Sequence, residues 1–262
     1  MIGYKYHGCG NSFVVFNYED VKTRDFSQLA IEACSASVGI GADGLIIVKD
    51  NPLEMIFYNQ DGSRAPMCGN GIRCFADYVR KEKIRIADTF DVETLGGLMK
   101  VECINNEYRI NMGKPLFDRN LLKINEDIDI ENIEIDNNII HSVFMGTIHS
   151  VVFCDHIDYE QVLSEGAKLC NHPLFTEKTN VNFVEIIDRD NIKVLTYERG
   201  VGITKACGTG CCASFVYANR FNKVNDEVKV HLELGVLTIS KNEENIMMQG
   251  PATRVAKLEM ED

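Results

Sequence analysis

The sequence of 262 residues predicts an α+β fold made of two similar domains. Short apolar runs separated by turn residues predict many strands and few helices. Cys-Gly-Asn-Gly at residues 68–71 and Cys-Gly-Thr-Gly at residues 207–210 start 139 positions apart, and each precedes a segment with helical spacing. Residues 10–16 (GNSFVVF) also resemble residues 147–153 (TIHSVVF), at an offset of 137. Because the matches keep the same order, we interpret the chain as an internal duplication with a small-molecule cleft between its halves.

The individual elements follow from the apolar pattern. In the first half, strands are predicted at residues 13–16, 45–48, 55–58, 98–102 and 108–112. In the second half, they are predicted around residue 144 and at residues 150–154, 181–187, 192–197, 227–232 and 236–240. Helices are predicted at residues 26–36, 72–79, 161–169 and 211–219. The last of these is apolar nearly all round, as in a helix buried on every side. The acidic, turn-rich residues 118–138 predict a junction between the halves.

The composition and charge of the chain argue against several classes of protein. With 45% apolar and 25% charged residues, the chain has the composition of a soluble globular protein. Residues 1–16 lack the features of a signal peptide, and no apolar run is long enough to cross a bilayer. A net charge of −12 without a basic stripe argues against nucleic acid or an anionic membrane as partner. We therefore expect a cytoplasmic protein whose ten cysteines are reduced.

The two glycine motifs place Cys68 and Cys207 immediately before a helix, where the helix dipole favours a thiolate. Such a position can bring a thiol pKa from about 8.5 to neutrality or below. The glycines that follow have no Cβ, so their N–H groups can approach a substrate carboxylate closely. If both sulfurs face one Cα, one thiolate can take its proton while the other thiol returns a proton to the opposite face. The pattern predicts racemisation of an amino acid without a pyridoxal cofactor, with fixed dipoles stabilising the developing charge.

Other roles for the cysteines remain open. Seven of them fit packing positions: Cys34, Cys74, Cys103, Cys154, Cys170, Cys211 and Cys212. A zinc site would lack the usual Cys-x2-Cys spacing, so we expect no metal, although a non-catalytic thiolate–metal protein stays the alternative from another class. A redox role would require Cys-x-x-Cys, which is absent. Neither glycine motif completes a phosphate-binding or dinucleotide fingerprint.

The sequence contains nine short motifs in an order typical of one enzyme family. They are HGCGNSF at 7–13, GIGADG at 39–44, NQDGS at 59–63, MCGNGIRC at 67–74, NMG at 111–113, TNVNF at 179–183, YERG at 197–200, ACGTG at 206–210 and GPA at 250–252. With them, the sequence resembles the diaminopimelate epimerase family over essentially its whole length. The two cysteine motifs, with Glu198 and Arg199 just upstream of the second, carry most of the specificity.

The resemblance implies a fold and an activity. The activity is the interconversion of LL- and meso-2,6-diaminopimelate, toward lysine and peptidoglycan precursors, without any cofactor. The fold is a pair of pseudo-symmetric domains, each a curved, barrel-like and mostly antiparallel sheet around a central helix, with the active site in the cleft between them. The C-terminal strand returns to the first domain, so the expected boundaries are 1–114 plus 250–262, and 115–249. A homodimer is also implied.

The resemblance further implies the roles of single residues. Cys68 and Cys207 would be the acid/base pair, with His149 and Glu198 tuning the pKa of the thiols. The implied substrate-binding residues are Asn11, Asn59, Gly69, Asn70, Asn180, Glu198, Arg199, Gly208 and Thr209. Among these, Arg199 can bind a distal carboxylate as a fork, and Glu198 can meet the distal ammonium.

The sequence departs from the family pattern away from the two cysteines. Thr147 and Ile148 stand where the family usually has asparagine or threonine followed by proline. Ile203 replaces a glutamate, and Gly44 a glutamine found in some members. Since the family asparagine contacts the distal carboxylate, Thr147 bears on what is held at the far end of the substrate. A relative with the same chemistry on another amino acid is the alternative within this enzyme class.

Overall fold

The computed structural model describes residues 1–261, which form six helices and seventeen strands, numbered here in chain order. These residues make two compact units. Unit 1 is Met1–Ile110 together with the C-terminal segment from Gln249, and unit 2 is Asn111–Met248. None of the helices in the described part of the chain combines the length and apolar character needed to span a membrane.

Unit 1 contains most of the first half of the chain and its last strand. Its strands are β1 (Ile2–Gly8), β2 (Asn11–Asn17), β3 (Gly44–Lys49), β4 (Glu54–Asn59), β5 (Thr89–Thr94), β6 (Gly97–Ile104), β7 (Glu107–Asn111) and β17 (Thr253–Glu259). Its helices are α1 (Tyr18–Val21), α2 (Phe26–Cys34) and α3 (Gly69–Lys81). The chain leaves this unit at the end of β7.

Unit 2 contains the remaining elements. Its strands are β8 (Ile133–Ile135), β9 (Asn138–Phe144), β10 (Ile148–Cys154), β11 (Asn180–Ile186), β12 (Asn191–Glu198), β13 (Gly202–Thr204), β14 (Glu227–Leu232), β15 (Gly235–Asn242) and β16 (Asn245–Gly250). Its helices are α4 (Arg119–Leu122), α5 (Tyr159–Cys170) and α6 (Gly208–Arg220). Residues 118–138, predicted as a junction, hold α4 and β8 instead. They belong to unit 2 because Leu122, Ile133 and Ile135 are buried in it.

The strand pairing repeats from one unit to the other. In unit 1, β2 pairs in parallel with β3 and β4 with β5, while β1–β2, β3–β4, β5–β6 and β6–β7 are antiparallel. In unit 2, β10–β11 and β12–β14 are the parallel pairs, and β9–β10, β11–β12 and β14–β15 are antiparallel. A parallel pair needs a long crossover. In unit 1 the crossovers contain α2 and α3, and in unit 2 they contain α5 and α6. The shared order confirms the predicted α+β fold and its internal duplication.

One helix in each unit is enclosed by its own sheet. In unit 1, α3 packs against β1, β2, β3 and β17, and it is buried from Gly69 to Val79. In unit 2, α6 packs against β9, β10, β11, β12 and β15, and it is buried from Gly210 to Ala218. Burial on all sides explains why the predicted helix at 211–219 is apolar nearly all round. These two helices begin directly after Cys68 and Cys207.

A second helix covers the outer face of each sheet. Helix α2 packs against β2, β3 and β4, and α5 packs against β11, β12 and β13. Both start at an aspartate N-cap, since Asp25 accepts a bond from the Gln28 amide and Asp158 from the Gln161 amide. Their apolar faces complete the outer cores, to which Leu29 and Val162 contribute.

The two sheets show which residues of the repeat are equivalent. Val14 of β2 belongs to the core under α2, and Val152 of β10 belongs to the core under α5. These residues are 138 positions apart, whereas the sequence match had an offset of 137. Because side chains alternate along a strand, a slip of one residue exchanges the two faces of the sheet. At the correct offset, Asn11 is the counterpart of His149.

Close packing of α5 generates a stability prediction. A Cβ added at Gly166 would lie 2.7 Å from the Cβ of Tyr197 in β12. We expect Gly166→Ala to lower the free energy of unfolding by about 1–3 kcal/mol through this clash, whereas helix propensity alone would raise it by roughly 0.5–1 kcal/mol. Chemical denaturation measures whether the free energy of unfolding falls or rises in this variant. The control is Ser164→Ala on the exposed side of α5. A stabilised Gly166→Ala variant would show that the helix does not approach the strand this closely.

Candidate active site

In unit 1, Cys68 is the N-cap residue of α3, and its side chain is half-buried. Its Sγ donates to Oδ1 of Asn11 in β2, at 3.7 Å. The Nδ2 of Asn70, in the first turn of α3, donates to the same oxygen at 3.3 Å. The structure therefore brings together three of the residues that the sequence placed in the site, with an amide oxygen beside the sulfur.

The orientation of Asn11 is set by Asp43, a residue that sequence reasoning left without a role. Asp43 Oδ2 accepts a hydrogen bond from Asn11 Nδ2 at 3.1 Å, and others from the Ser12 amide at 2.7 Å and the Ser12 hydroxyl at 3.0 Å. A carboxylate only accepts, so the amide nitrogen of Asn11 must point to Asp43 and its oxygen to Cys68. The sequence feature that could have pointed to this role is the acidic residue inside the GIGADG motif.

Asn70 is oriented in a similar way by Arg73, which the sequence also did not single out. Arg73 is fully buried. Its guanidinium donates to the Asn70 Oδ1 at 2.9 Å, to the Gly69 carbonyl at 3.0 Å and to the Pro251 carbonyl at 3.2 Å. A buried guanidinium requires such acceptors, and it leaves the Asn70 Nδ2 directed at Asn11. The first turn of α3 is thus fixed from inside the unit.

Asn59 ends β4, the neighbour of β3. Its Nδ2 donates to the Ser63 hydroxyl at 3.0 Å, and its backbone amide donates to the Ser63 carbonyl at 2.9 Å. These bonds hold the turn that contains the NQDGS motif. The side chain of Asn59 is half-buried and remains a candidate substrate contact.

In unit 2, Cys207 is the N-cap residue of α6 and is only 7% exposed. Its Sγ lies 3.5 Å from the hydroxyl of Thr209. The imidazole Nε2 of His149 lies 3.0 Å from the same hydroxyl, and the Asn182 amide nitrogen lies 3.1 Å from His149 Nδ1. Of the predicted site residues, the structure thus groups Cys207, Thr209 and His149. Asn182 joins them, although sequence reasoning assigned it no role beyond its place in the TNVNF motif.

The electrostatics of Cys207 differ from the sequence-based expectation. Burial raises the pKa of Cys207 well above its ordinary value, and the nearby Glu198 carboxylate raises it further. The Thr209 hydroxyl and the Gly210 backbone amide lower it, but by less. The helix dipole at this position favours a thiolate, whereas burial and the Glu198 charge favour the protonated thiol.

His149 is neutral. It is fully buried, and this burial, together with the charge of Arg199, lowers its pKa to about 3. It therefore does not exchange protons with Cys207 near neutral pH. It contacts the Thr209 hydroxyl, which in turn lies 3.5 Å from the Cys207 sulfur.

Arg199 and its neighbours form the outer part of the unit 2 site. The Arg199 amide donates to Oδ1 of the buried Asn180 at 3.0 Å. The exposed guanidinium donates to the Glu177 carbonyl and to the Thr147 hydroxyl, each at 3.0 Å. Thr147 is one of the departures from the family pattern, and here it holds the side chain of Arg199. Another departure, Ile203, packs against the core under α5.

The remaining cysteines are placed as follows. Cys34, Cys74, Cys170, Cys211 and Cys212 are buried, as expected for packing residues. Cys154 is partly buried and packs against the core under α5, as expected, whereas Cys103 is less enclosed than expected. The structure also buries Cys9, whose pKa is raised by burial. Across residues 1–261, no three or more histidine, cysteine, aspartate or glutamate side chains are grouped as metal ligands would be.

Comparison with known proteins agrees with this geometry. The family model described as Diaminopimelate epimerase matches residues 3–117 and 141–255, two segments that start 138 positions apart. A diaminopimelate epimerase of Alkaliphilus metalliredigens is 41% identical, covering 97% of this chain and 95% of the relative. One of Halothermothrix orenii is 38% identical, covering 96% and 94%. A phenazine biosynthesis protein of the PhzF family from Bacillus anthracis has the same fold, with a TM-score of 0.71 at 12% identity over 100% of this chain and 99% of its own. The chain therefore belongs to the diaminopimelate epimerase family.

Proposed function

We propose that this protein epimerises LL-2,6-diaminopimelate to the meso isomer without a cofactor, using Cys68 and Cys207 as an acid/base pair. The observation that carries the proposal is the cysteine at the N-cap of the enclosed helix in each unit, in a chain of this family. Each unit supplies one thiol and the first turn of one helix. Epimerisation needs such a pair, because the proton leaves one face of the carbon and a proton arrives on the other.

The weakly acidic α-proton sets the main energetic demand. Negative charge develops on the substrate carboxylate when the proton leaves, and oriented donors must stabilise it. We assign this role to the first-turn backbone amides of Gly69 and Asn70 in α3, and of Gly208 and Thr209 in α6. Helix N-termini bind anions through these groups and through the dipole.

The two thiols do not start in equivalent states. The raised pKa of Cys207 supports a resting thiol that acts first as the acid, so Cys68 acts first as the base. When the other isomer is bound, the roles are exchanged. We assign the tuning of Cys207 to Glu198, whose charge disfavours the thiolate, and to His149, which acts through Thr209.

The distal end of the substrate carries a second carboxylate and a second ammonium. We propose that Arg199 binds the carboxylate as a fork and that Glu198 binds the ammonium. The amides of Asn11, Asn59 and Asn180 complete the recognition. Since the guanidinium of Arg199 already donates to the Thr147 hydroxyl, Thr147 positions it for this contact.

We further propose the organisation in which this chemistry takes place. The functional domains are residues 1–114 plus 250–262, and residues 115–249. The protein acts as a homodimer in the cytoplasm, with neither nucleic acid nor membrane as partner. The net charge of −12 and the family membership support these assignments.

The charge of Glu198 generates a pH prediction. Glu198 raises the pKa of Cys207, so Glu198→Gln should lower it and shift alkylation of Cys207 to lower pH. Iodoacetamide labelling of the substrate-free protein, followed by mass spectrometry of the peptide with Cys207, measures this shift. The control, Glu244→Gln, removes a carboxylate that pairs with Lys114, and should leave the profile unchanged. If the alkylation of Cys207 in Glu198→Gln kept the wild-type pH dependence or shifted to higher pH, the tuning role of Glu198 would be contradicted.

The activity itself is tested by isotope exchange. In D2O, we expect solvent deuterium to appear at the epimerised Cα of the meso product formed from LL-2,6-diaminopimelate, and epimerisation to fall by at least about a thousandfold in Cys68→Ala and in Cys207→Ala. Nuclear magnetic resonance of the product across a panel of amino acids measures this. Exchange in other amino acids only would favour a racemase of different specificity. Bound zinc with no exchange in any amino acid would favour the non-catalytic metal protein.

A further inference from the structure

A chain of buried polar groups leads from the sheet of unit 2 to the sulfur of Cys207. Asn182 of β11 and Thr196 of β12 face each other across the strand pair, and both are almost fully buried. The Thr196 hydroxyl donates to Asn182 Oδ1 at 3.0 Å. The Asn182 amide nitrogen reaches the Ser150 carbonyl and His149 Nδ1, each at 3.1 Å. Buried polar groups are costly unless satisfied, and these satisfy one another.

From the Ser150 carbonyl to the Thr209 hydroxyl, the donors and acceptors in this chain have one consistent assignment. The Ser150 carbonyl only accepts, so it identifies the Asn182 nitrogen and directs it toward His149. An amide nitrogen only donates, so Nδ1 of His149 is unprotonated and the neutral ring carries its proton on Nε2. This N–H donates to the Thr209 hydroxyl at 3.0 Å. The Thr209 hydroxyl accepts this bond, so its own proton is free to be donated to Cys207 Sγ, 3.5 Å away.

Unit 1 shows that the fold itself does not need this chain of hydrogen bonds. By register, Val151 pairs with Asn182 in unit 2, and Phe13, 138 positions earlier, pairs with Gly44 in unit 1. The counterpart of Asn182 is therefore a residue without a side chain. In unit 1, the counterpart of His149 is Asn11, which is oriented from the side by Asp43. The same architecture is built without a buried polar pair at this place.

The first turn of α6 is shaped around the same pair. A Cβ added at Gly210 would lie 2.3 Å from Asn182 Oδ1 and 3.1 Å from the Thr196 hydroxyl. At the matching Gly71 of unit 1, an added Cβ would meet Ile46 and Phe13 at 3.4 and 3.6 Å. The polar pair in unit 2 therefore sits directly beneath the helix start that carries Cys207.

We propose that Asn182 and Thr196 are positioning residues that hold His149 as its Nε2–H tautomer, so that the Thr209 hydroxyl donates to the Cys207 sulfur when its thiolate forms. This inference rests on the proposed function for its kinetic meaning. Burial and the charge of Glu198 both disfavour the thiolate. The chain of hydrogen bonds that ends at Cys207 opposes these two effects. The other titratable groups facing this chain are Arg199, beside His149, and Cys211, beside Cys207.

The test compares isosteric variants of the two positioning residues. Asn182→Leu and Thr196→Val keep the shape and remove the hydrogen bonds, whereas Thr196→Ser keeps the hydroxyl. We expect Asn182→Leu to lower kcat by about tenfold or more with KM nearly unchanged, as for a lost hydrogen bond to a charged group. Alkylation of Cys207 should shift to higher pH in Asn182→Leu and Thr196→Val, and return to the wild-type profile in Thr196→Ser. The alkylation assay uses no substrate, so it reads the hydrogen-bond chain even if the proposed function fails.

A matched control separates this role from a structural one. Ser214→Ala removes another buried hydroxyl of α6, which bonds the Gly210 carbonyl and does not join the chain. It should reduce stability without moving the pH profile of Cys207. If Asn182→Leu does not fold, ¹⁵N chemical shifts of His149 in wild type and Thr196→Val decide instead. A protonated Nδ1 in the wild type, or folded variants with unchanged pH profiles, would overturn the proposal.

Discussion

The site depends on how closely the start of each enclosed helix approaches its sheet. Gly71 and Gly210 occupy the third position of α3 and α6, and a Cβ at Gly210 would come within 2.3 Å of Asn182. Only glycine permits this approach in α6, whereas at Gly71 an added Cβ would lie 3.3 Å or more from its neighbours. In both units the N-cap cysteine precedes the first-turn amides, with the Asn11 amide oxygen next to Cys68 Sγ and the Thr209 hydroxyl next to Cys207 Sγ.

Duplication produced two similar frameworks that hold different chemistry. In unit 1, an amide oxygen of Asn11 accepts from the half-buried Cys68. In unit 2, a hydroxyl lies beside the buried Cys207, whose pKa is raised by desolvation and by Glu198. An acid and a base that exchange roles must still begin a given turnover in opposite protonation states. We propose that the different surroundings of the two sulfurs supply that difference within one architecture.

The sequence predicted the parts of the fold whose residues are buried in regular patterns. Strands β3 and β4 were predicted because they are apolar runs, whereas the apolar pattern did not predict β17, since most of its residues are exposed, and only the family resemblance implied this strand. In the site, the two glycine motifs predicted that Cys68 and Cys207 each lie directly before a helix. The roles of Asp43, Arg73 and Asn182 were not, because a polar contact depends on which face of a strand or helix a residue occupies. The match at offset 137 placed that face incorrectly, and desolvation of Cys207 follows only from tertiary burial.

The proposal that two different sulfurs serve the two faces of one carbon is tested by following label during early turnover in D2O. With LL-2,6-diaminopimelate as substrate, we expect deuterium at the new stereocentre of the meso product and protium still present in the recovered LL isomer. This result is expected because the sulfur that accepts the substrate proton is not the one that delivers deuterium. Deuterium entering both pools at the same rate from the start would contradict it and indicate a single group acting on both faces.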